Sequence, residues 1–172
     1  MPDRTLIVVP EQHGVPHALA LMIARRMRAK GRHRVDICDA IGGGAPPPQG
    51  YDAVLFGARA TRHRDRRLLG DYIAGHRSFL ERMPTALFLS YDWRTRRPDP
   101  KRFIDAFESD VGWQARFAAA LFDGTFSIAR LLARSVLLAA LRTVDGAAAH
   151  ASVPEVTALA DAVTHELARH RS

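Results

Sequence analysis

Leu6-Ile7-Val8-Val9 is an unbroken apolar run, largely β-branched, with the composition of a strand covered on both faces. Pro10–Pro16 punctuates it. Leu19, Met22, Ile23 and Met27 then recur at three- and four-residue spacings, which predicts a helix closed by Gly31. Strand, tight loop and helix in that order predict the opening unit of a doubly wound α/β sheet. The loop of such a unit lies at the carboxyl edge of the sheet, where these folds take ligands. Arg34–Cys38 alternates polar and apolar, as a half-exposed edge strand does. Tyr51–Gly57 and Pro84–Leu89 read as buried strands, and Ala115–Phe122 as a fifth strand that Gly124 closes.

The intervening segments read as helices and loops. Ala58–Arg67 is a polar loop carrying five arginines and His63, leading into a helix through about Arg77. Asp99 is placed to cap a helix running through about Ser109, with Pro100 in its first turn. Ser152-Val153-Pro154-Glu155 has capping-box spacing, and Val156, Leu159, Ala160, Val163 and Leu167 line one face of the helix that follows. Gly42–Pro48 is a connecting loop. Its glycines do not join a strand directly to a helix, so it is no dinucleotide fingerprint. Strands alternating with helices imply a parallel sheet with helices on both faces. Neither a repeat nor a domain boundary interrupts the 172 residues, so one domain is expected.

Composition adjusts this picture in three places. A formal net charge of +7 favours an acidic partner, cofactor or surface. Lys30 and Lys101 are the only lysines, however, so the excess is almost wholly arginine and reflects a compositional bias as readily as an acidic partner. Cys38 is the single cysteine, which leaves no intramolecular disulfide and no cysteine-based metal site. No secretion signal is read at the start, so a cytoplasmic location is expected. His13 and His17 have a spacing that suggests a metal pair, but no third ligand accompanies them and no metal is expected. The sequence holds no Ser/His/Asp arrangement, phosphate-binding P-loop or nucleic-acid motif, and no nucleic-acid partner is expected.

Several phrases in order carry a family resemblance. Tyr51-Asp52 opens a strand ending in Gly57-Ala58, and Arg82-Met83-Pro84-Thr85-Ala86 opens the fourth. The basic Arg94–Arg102 stretch, Trp113 ahead of the fifth strand and an inserted helix before Gly146 follow at matching intervals. The chain resembles flavodoxins in its order of elements, and is more closely similar to the menaquinone-dependent protoporphyrinogen IX dehydrogenases. The fold expected is a flavodoxin-like three-layer sandwich. Its five-stranded parallel sheet has the order 2-1-3-4-5, with helices on both faces and an extra helix at 125–145 inserted near strand 5.

The resemblance implies non-covalent FMN, its phosphate in the first loop and its ring between the second and third. The residues it places there are Gln12, His13, Gly14, Val15 and His17, then Arg59, Ala60, Thr61 and Arg62, then Ser90, Tyr91, Asp92 and Trp93. Backbone N–H groups and hydroxyls are expected around the phosphate, and Tyr91 or Trp93 as a stacking surface for the ring. The first loop departs from the family pattern. Hydroxyl residues are expected at or near Pro10, Glu11 and Pro16, and none is present. The two prolines also lack N–H donors, and Glu11 brings a negative charge toward a phosphate. His13, His17 or Arg62 are the candidate replacement donors. The arginines of 59–67 read singly as a solvated loop and together as a site for a phosphate or the propionates of a porphyrin. Trp93 reads equally as a loop anchor.

Phe126–Arg142 is rich in Leu and Ala and has no acid. A bilayer span there would place Arg130 and Arg134 near the membrane centre at roughly 5–7 kcal/mol together, so a span is not expected. The resemblance links the segment to quinone and membrane contact, which implies peripheral association with an anionic surface on the inner face of the membrane. A homo-oligomer contact, or packing on the body, fits the residues as well. Two functional readings follow. One is an FMN-dependent oxidoreductase that takes electrons from a reduced small molecule such as a porphyrinogen and passes them to a quinone or other acceptor. The other is a flavodoxin-fold protein that has lost FMN and serves as a ligand-binding or protein-interaction module.

Overall fold

The computed structural model of the chain describes residues 2–31, 33–91, 99–122 and 153–170. Five strands, β1 (Asp3–Val9), β2 (His33–Asp39), β3 (Ala53–Arg59), β4 (Thr85–Tyr91) and β5 (Phe117–Phe122), form one sheet in the order β2-β1-β3-β4-β5. Every pairing is parallel. The helices are α1 (Gly14–Ala29), α2 (His63–Leu80), α3 (Pro100–Val111) and α4 (Val153–His170). The fold class and strand order expected from the sequence are those observed.

The apolar run of β1 divides between two cores because successive strand residues face opposite ways. Ile7 and Val9 pack with Leu19, Ile23 and Met27 of α1 and with Leu159, Val163 and Leu167 of α4. Leu6 and Val8 pack with Leu69 and Ile73 of α2 and with Ile104 and Phe107 of α3. The sheet is therefore the middle of three layers. The helix periodicities read from the sequence correspond to the buried faces of α1 and α4. Among the described residues β2 pairs only with β1, and Asp36, Ile37 and Cys38 remain half-exposed, as an edge strand requires.

The Asp99 cap is where the sequence places it, while Ser152 and Gly124, expected to cap the last helix and to close the fifth strand, lie outside the described residues. The Asp99 side chain accepts the Lys101 N–H at 3.0 Å, with Pro100 in the first turn of α3. Gly112 then closes that helix at φ +64°, three residues beyond the expected end. α2 begins at His63, so Arg64, Arg66 and Arg67 lie in its opening turns and not in a loop. The Gly-Pro stretch holds two short 3-10 turns, Ile41–Gly43 and Pro48–Gly50, within an otherwise irregular connection. Gly57, expected at the end of β3, lies inside it and opposite Phe88 of β4.

Candidate functional site

The chain winds in opposite directions from β1 to β2 and from β1 to β3, so the crevice between the carboxyl ends of β1 and β3 is the topological switch point. Two loops meet there, Pro10–His13 before α1 and Ala60–Arg62 before α2. The second loop is shaped by residues just beyond it. Asp65, 1% exposed, accepts the Arg59 backbone N–H on Oδ2 at 3.1 Å, and its Oδ1 lies 3.7 Å from Arg62 Nε. Arg66 donates to the Ala60 carbonyl and pairs with Asp110 at the far end of α3. The Ala60 N–H reaches the Ser90 carbonyl at 2.7 Å, which continues the β3–β4 ladder into the loop.

Glu11 lies at the centre of the crevice and is only 9% exposed. Its Oε2 is 2.9 Å from His13 Nε2 and 3.4 Å from Arg62 Nη1, and its Oε1 is 3.4 Å from Arg64 Nη1. The Arg59 guanidinium lies against the backbone of Gly14, the first residue of α1. Pro10, Glu11, His13, Pro16, Arg59, Arg62 and Asp65 thus close on one another, and the space between them is too narrow for a water molecule.

This arrangement does not fit the phosphate of FMN. The first loop has no hydroxyl, and Pro16 removes an N–H from the first turn of α1. Arg59 lies over the helix start, and a buried carboxylate already holds three of the basic groups that would have to receive the phosphate. The charge at the helix start itself is not the obstacle, since no acid lies in the first turn of α1 and no side chain caps it. The expected residues of the two loops do come together at one edge, but around an internal anion. Gln12, His13 and Gly14 are exposed, while Val15 and His17 are half-buried, with His17 Nδ1 lacking a hydrogen-bond partner among the described residues. Thr61 is exposed, Arg62 half-exposed and Ala60 buried.

The third group is placed differently from expectation. Ser90 and Tyr91 belong to β4 itself and are both 3% exposed. The Ser90 hydroxyl is 3.5 Å from the Ala58 carbonyl, and the Tyr91 ring packs on Phe103 of α3 with centroids 5.2 Å apart. Tyr91 is therefore part of the core between the sheet and α2 and α3, not an open stacking surface. Its burial raises the phenol pKa above 10.0. Asp92 and Trp93 lie outside the described residues, as does the whole 125–145 segment.

Two residues central to the site were not among those the sequence singled out as binding residues. Glu11 was visible only as a departure from a pattern. Asp65 had a weak signal, an acid in the first turn of a helix entered from an arginine-rich loop. Cys38, near the carboxyl end of β2, is a poor nucleophile, because burial and then the Asp36 and Asp39 carboxylates raise its thiol pKa. Among the described residues, no cluster of three His, Cys, Asp or Glu side chains could hold a metal ion, and no helix is long and apolar enough to cross a membrane. An open cleft of about 820 Å³ lies at the opposite end of the sheet, bordered by Met83, Thr85, Trp113 and Arg116. It is remote from the switch point, and the ligand-binding rule for this topology favours the crevice over it.

No family model matches the chain, and no curated protein matches it. Solved structures do match. The two-electron reduced flavodoxin of Megasphaera elsdenii superposes with a TM-score of 0.56 at 16% identity, covering 94% of this chain and 98% of that one. The flavodoxin of Streptococcus pneumonia TIGR4 superposes with a TM-score of 0.50 at 12% identity, covering 95% and 99%. At such identities the likeness is one of architecture. This chain has a flavodoxin-like fold.

Proposed function

We propose that the chain is a flavodoxin-fold binding module that works without a flavin. The observation that carries this reading is Glu11, held inside the first loop by His13, Arg62 and Arg64 where a phosphate would need those groups. The partner chemistry that suits the module is an acidic protein surface. Around the closed crevice the exposed side chains include His13, His63, Arg64 and Arg67, whereas Glu11 and Asp65 are buried. A net charge of +7 adds long-range attraction of the same sign.

The test is the visible spectrum of the purified protein after FMN is added back and the excess removed by gel filtration. A colourless protein is the expected result. A flavin band that stays with the protein overturns the reading.

A second reading has one observation in its favour. Arg59, Arg62 and Arg64 outnumber Glu11 and Asp65 at the crevice, and such a surplus suits an anion if Glu11 turns outward. On that reading the chain is an FMN-dependent oxidoreductase similar to protoporphyrinogen IX dehydrogenase. Quinone or anionic-membrane contact through residues 126–142, or contact with a second copy, belongs to the same reading. Retained flavin restores it, and oxidation of protoporphyrinogen is then the deciding assay.

A further inference from the structure

We infer that the Glu11 carboxylate is the resident anion of the switch-point crevice, and that its presence, more than a shortage of donors, keeps a phosphate group out. This rests on the reading that the chain as it stands does not hold the FMN phosphate.

Glutamate is rarely buried unless its charge is paired, and a glutamate in a short surface loop has open solvent available to it. Glu11 turns inward instead, its Oε2 toward His13 and Arg62 and its Oε1 toward Arg64 in the first turn of α2. Gln12, its chain neighbour, is exposed. The other acid at the crevice, Asp65, accepts the Arg59 N–H on Oδ2 and lies 3.7 Å from Arg62 Nε on Oδ1, and it makes no ion pair with Arg64 or His13 among the described residues. Glu11 is thus the carboxylate that meets all three of His13, Arg62 and Arg64. Without it those groups, with Arg59 beside them, would crowd together with little compensating charge. The three side chains keep 36–75% of their exposure, so water screens them in part, and a small anion of matching geometry would replace the contact that Glu11 makes. A phosphate or phosphomonoester dianion offers that charge and the acceptor oxygens that guanidinium groups bind. The Gly14 and Val15 N–H groups lie at the adjacent helix start, where the backbone itself favours negative charge.

Glu11→Ser and Glu11→Gln test this with inorganic phosphate as the probe. Serine opens the space and adds the missing hydroxyl, and glutamine keeps the shape while removing the charge. Calorimetric titration should show Glu11→Ser binding phosphate at least about tenfold more tightly than the unaltered chain, as one or two new charge-assisted hydrogen bonds allow. Glu11→Gln should show a smaller gain, and Glu11→Ser/Arg62→Ala should lose the gain. Chloride at equal ionic strength should reproduce none of it. If Glu11→Ser does not fold in chloride, phosphate should restore its helical circular dichroism. A folded Glu11→Ser that binds phosphate no better than the unaltered chain overturns the inference, and so does an unfolded one that phosphate fails to rescue. Either result leaves the flavin-free reading standing. Flavin retained by the unaltered chain removes that reading directly.

Discussion

The Arg59 guanidinium rests on the backbone of Gly14, so close that a Cβ at position 14 would overlap Nη2. This contact joins the end of β3 to the start of α1 and closes one wall of the crevice. Gly14 also has φ +78°, a conformation that L side chains rarely adopt. The positive φ is the constraint that needs glycine here, while the arginine tip is free to shift.

Gly14→Ala should therefore destabilise the chain by about 1–2 kcal/mol from the backbone, with only a small added cost for shifting the tip of Arg59. Arg59→Ala in the same chain should relieve the steric part and leave the backbone part. A double-mutant cycle measured by urea unfolding separates the two. Additive effects of the two substitutions would show that the guanidinium is not held against the glycine.

Gly57 presents a simpler case of close approach. It pairs with Phe88 across β3 and β4, and a Cβ there would overlap the fully buried Phe88 ring. Gly57→Ala should cost about 1–3 kcal/mol through overpacking. Phe88→Leu, although destabilising alone, should recover part of that loss in the Gly57→Ala background. A Gly57→Ala chain that melts with the unaltered protein would remove the contact from the list of constraints on the sheet.

The chain has three tyrosines, and all three have pKa values above the ordinary 10.0. Burial is the main cause in each case, joined at Tyr51 by its hydrogen bond to Asp36. In the unfolded chain the phenols ionise near pH 10, while in the folded chain they stay protonated. Their contribution to stability is accordingly intact below pH 10 and is lost as pH rises through the folded values. Phenolate absorbance in the near ultraviolet should appear together with loss of helical circular dichroism. Phenolate forming near pH 10 while the helices persist would contradict this.

Much of the architecture was legible in the sequence because it follows from local chemistry. The apolar run Leu6–Val9, the spacing of Leu19, Ile23 and Met27, the Asp99 cap and the apolar face of the last helix each state their own structure. Alternation of such elements leaves few topologies open, and the right-handed crossover selects among them. The loops that meet at the carboxyl edge could therefore be named from the sequence. Their prolines, missing hydroxyls and Glu11 were enough to raise the question of whether a phosphate fits.

Tertiary structure decided the direction and partners of the side chains in those loops. Glu11 and Arg64 are 53 residues apart in numbering, and nothing local determines whether the carboxylate meets solvent or a guanidinium. Tyr91 looked like a loop aromatic, and only the packing of α3 beneath β4 makes it a core residue against Phe103. Asp65 looked like an ordinary first-turn acid, and only the path of β3 brings the Arg59 N–H to it. Helix and strand periodicity are properties of neighbouring residues and can be read along the chain. Charge pairing at a switch point depends on two separate loops arriving at the same place, and that is set only when the sheet is assembled.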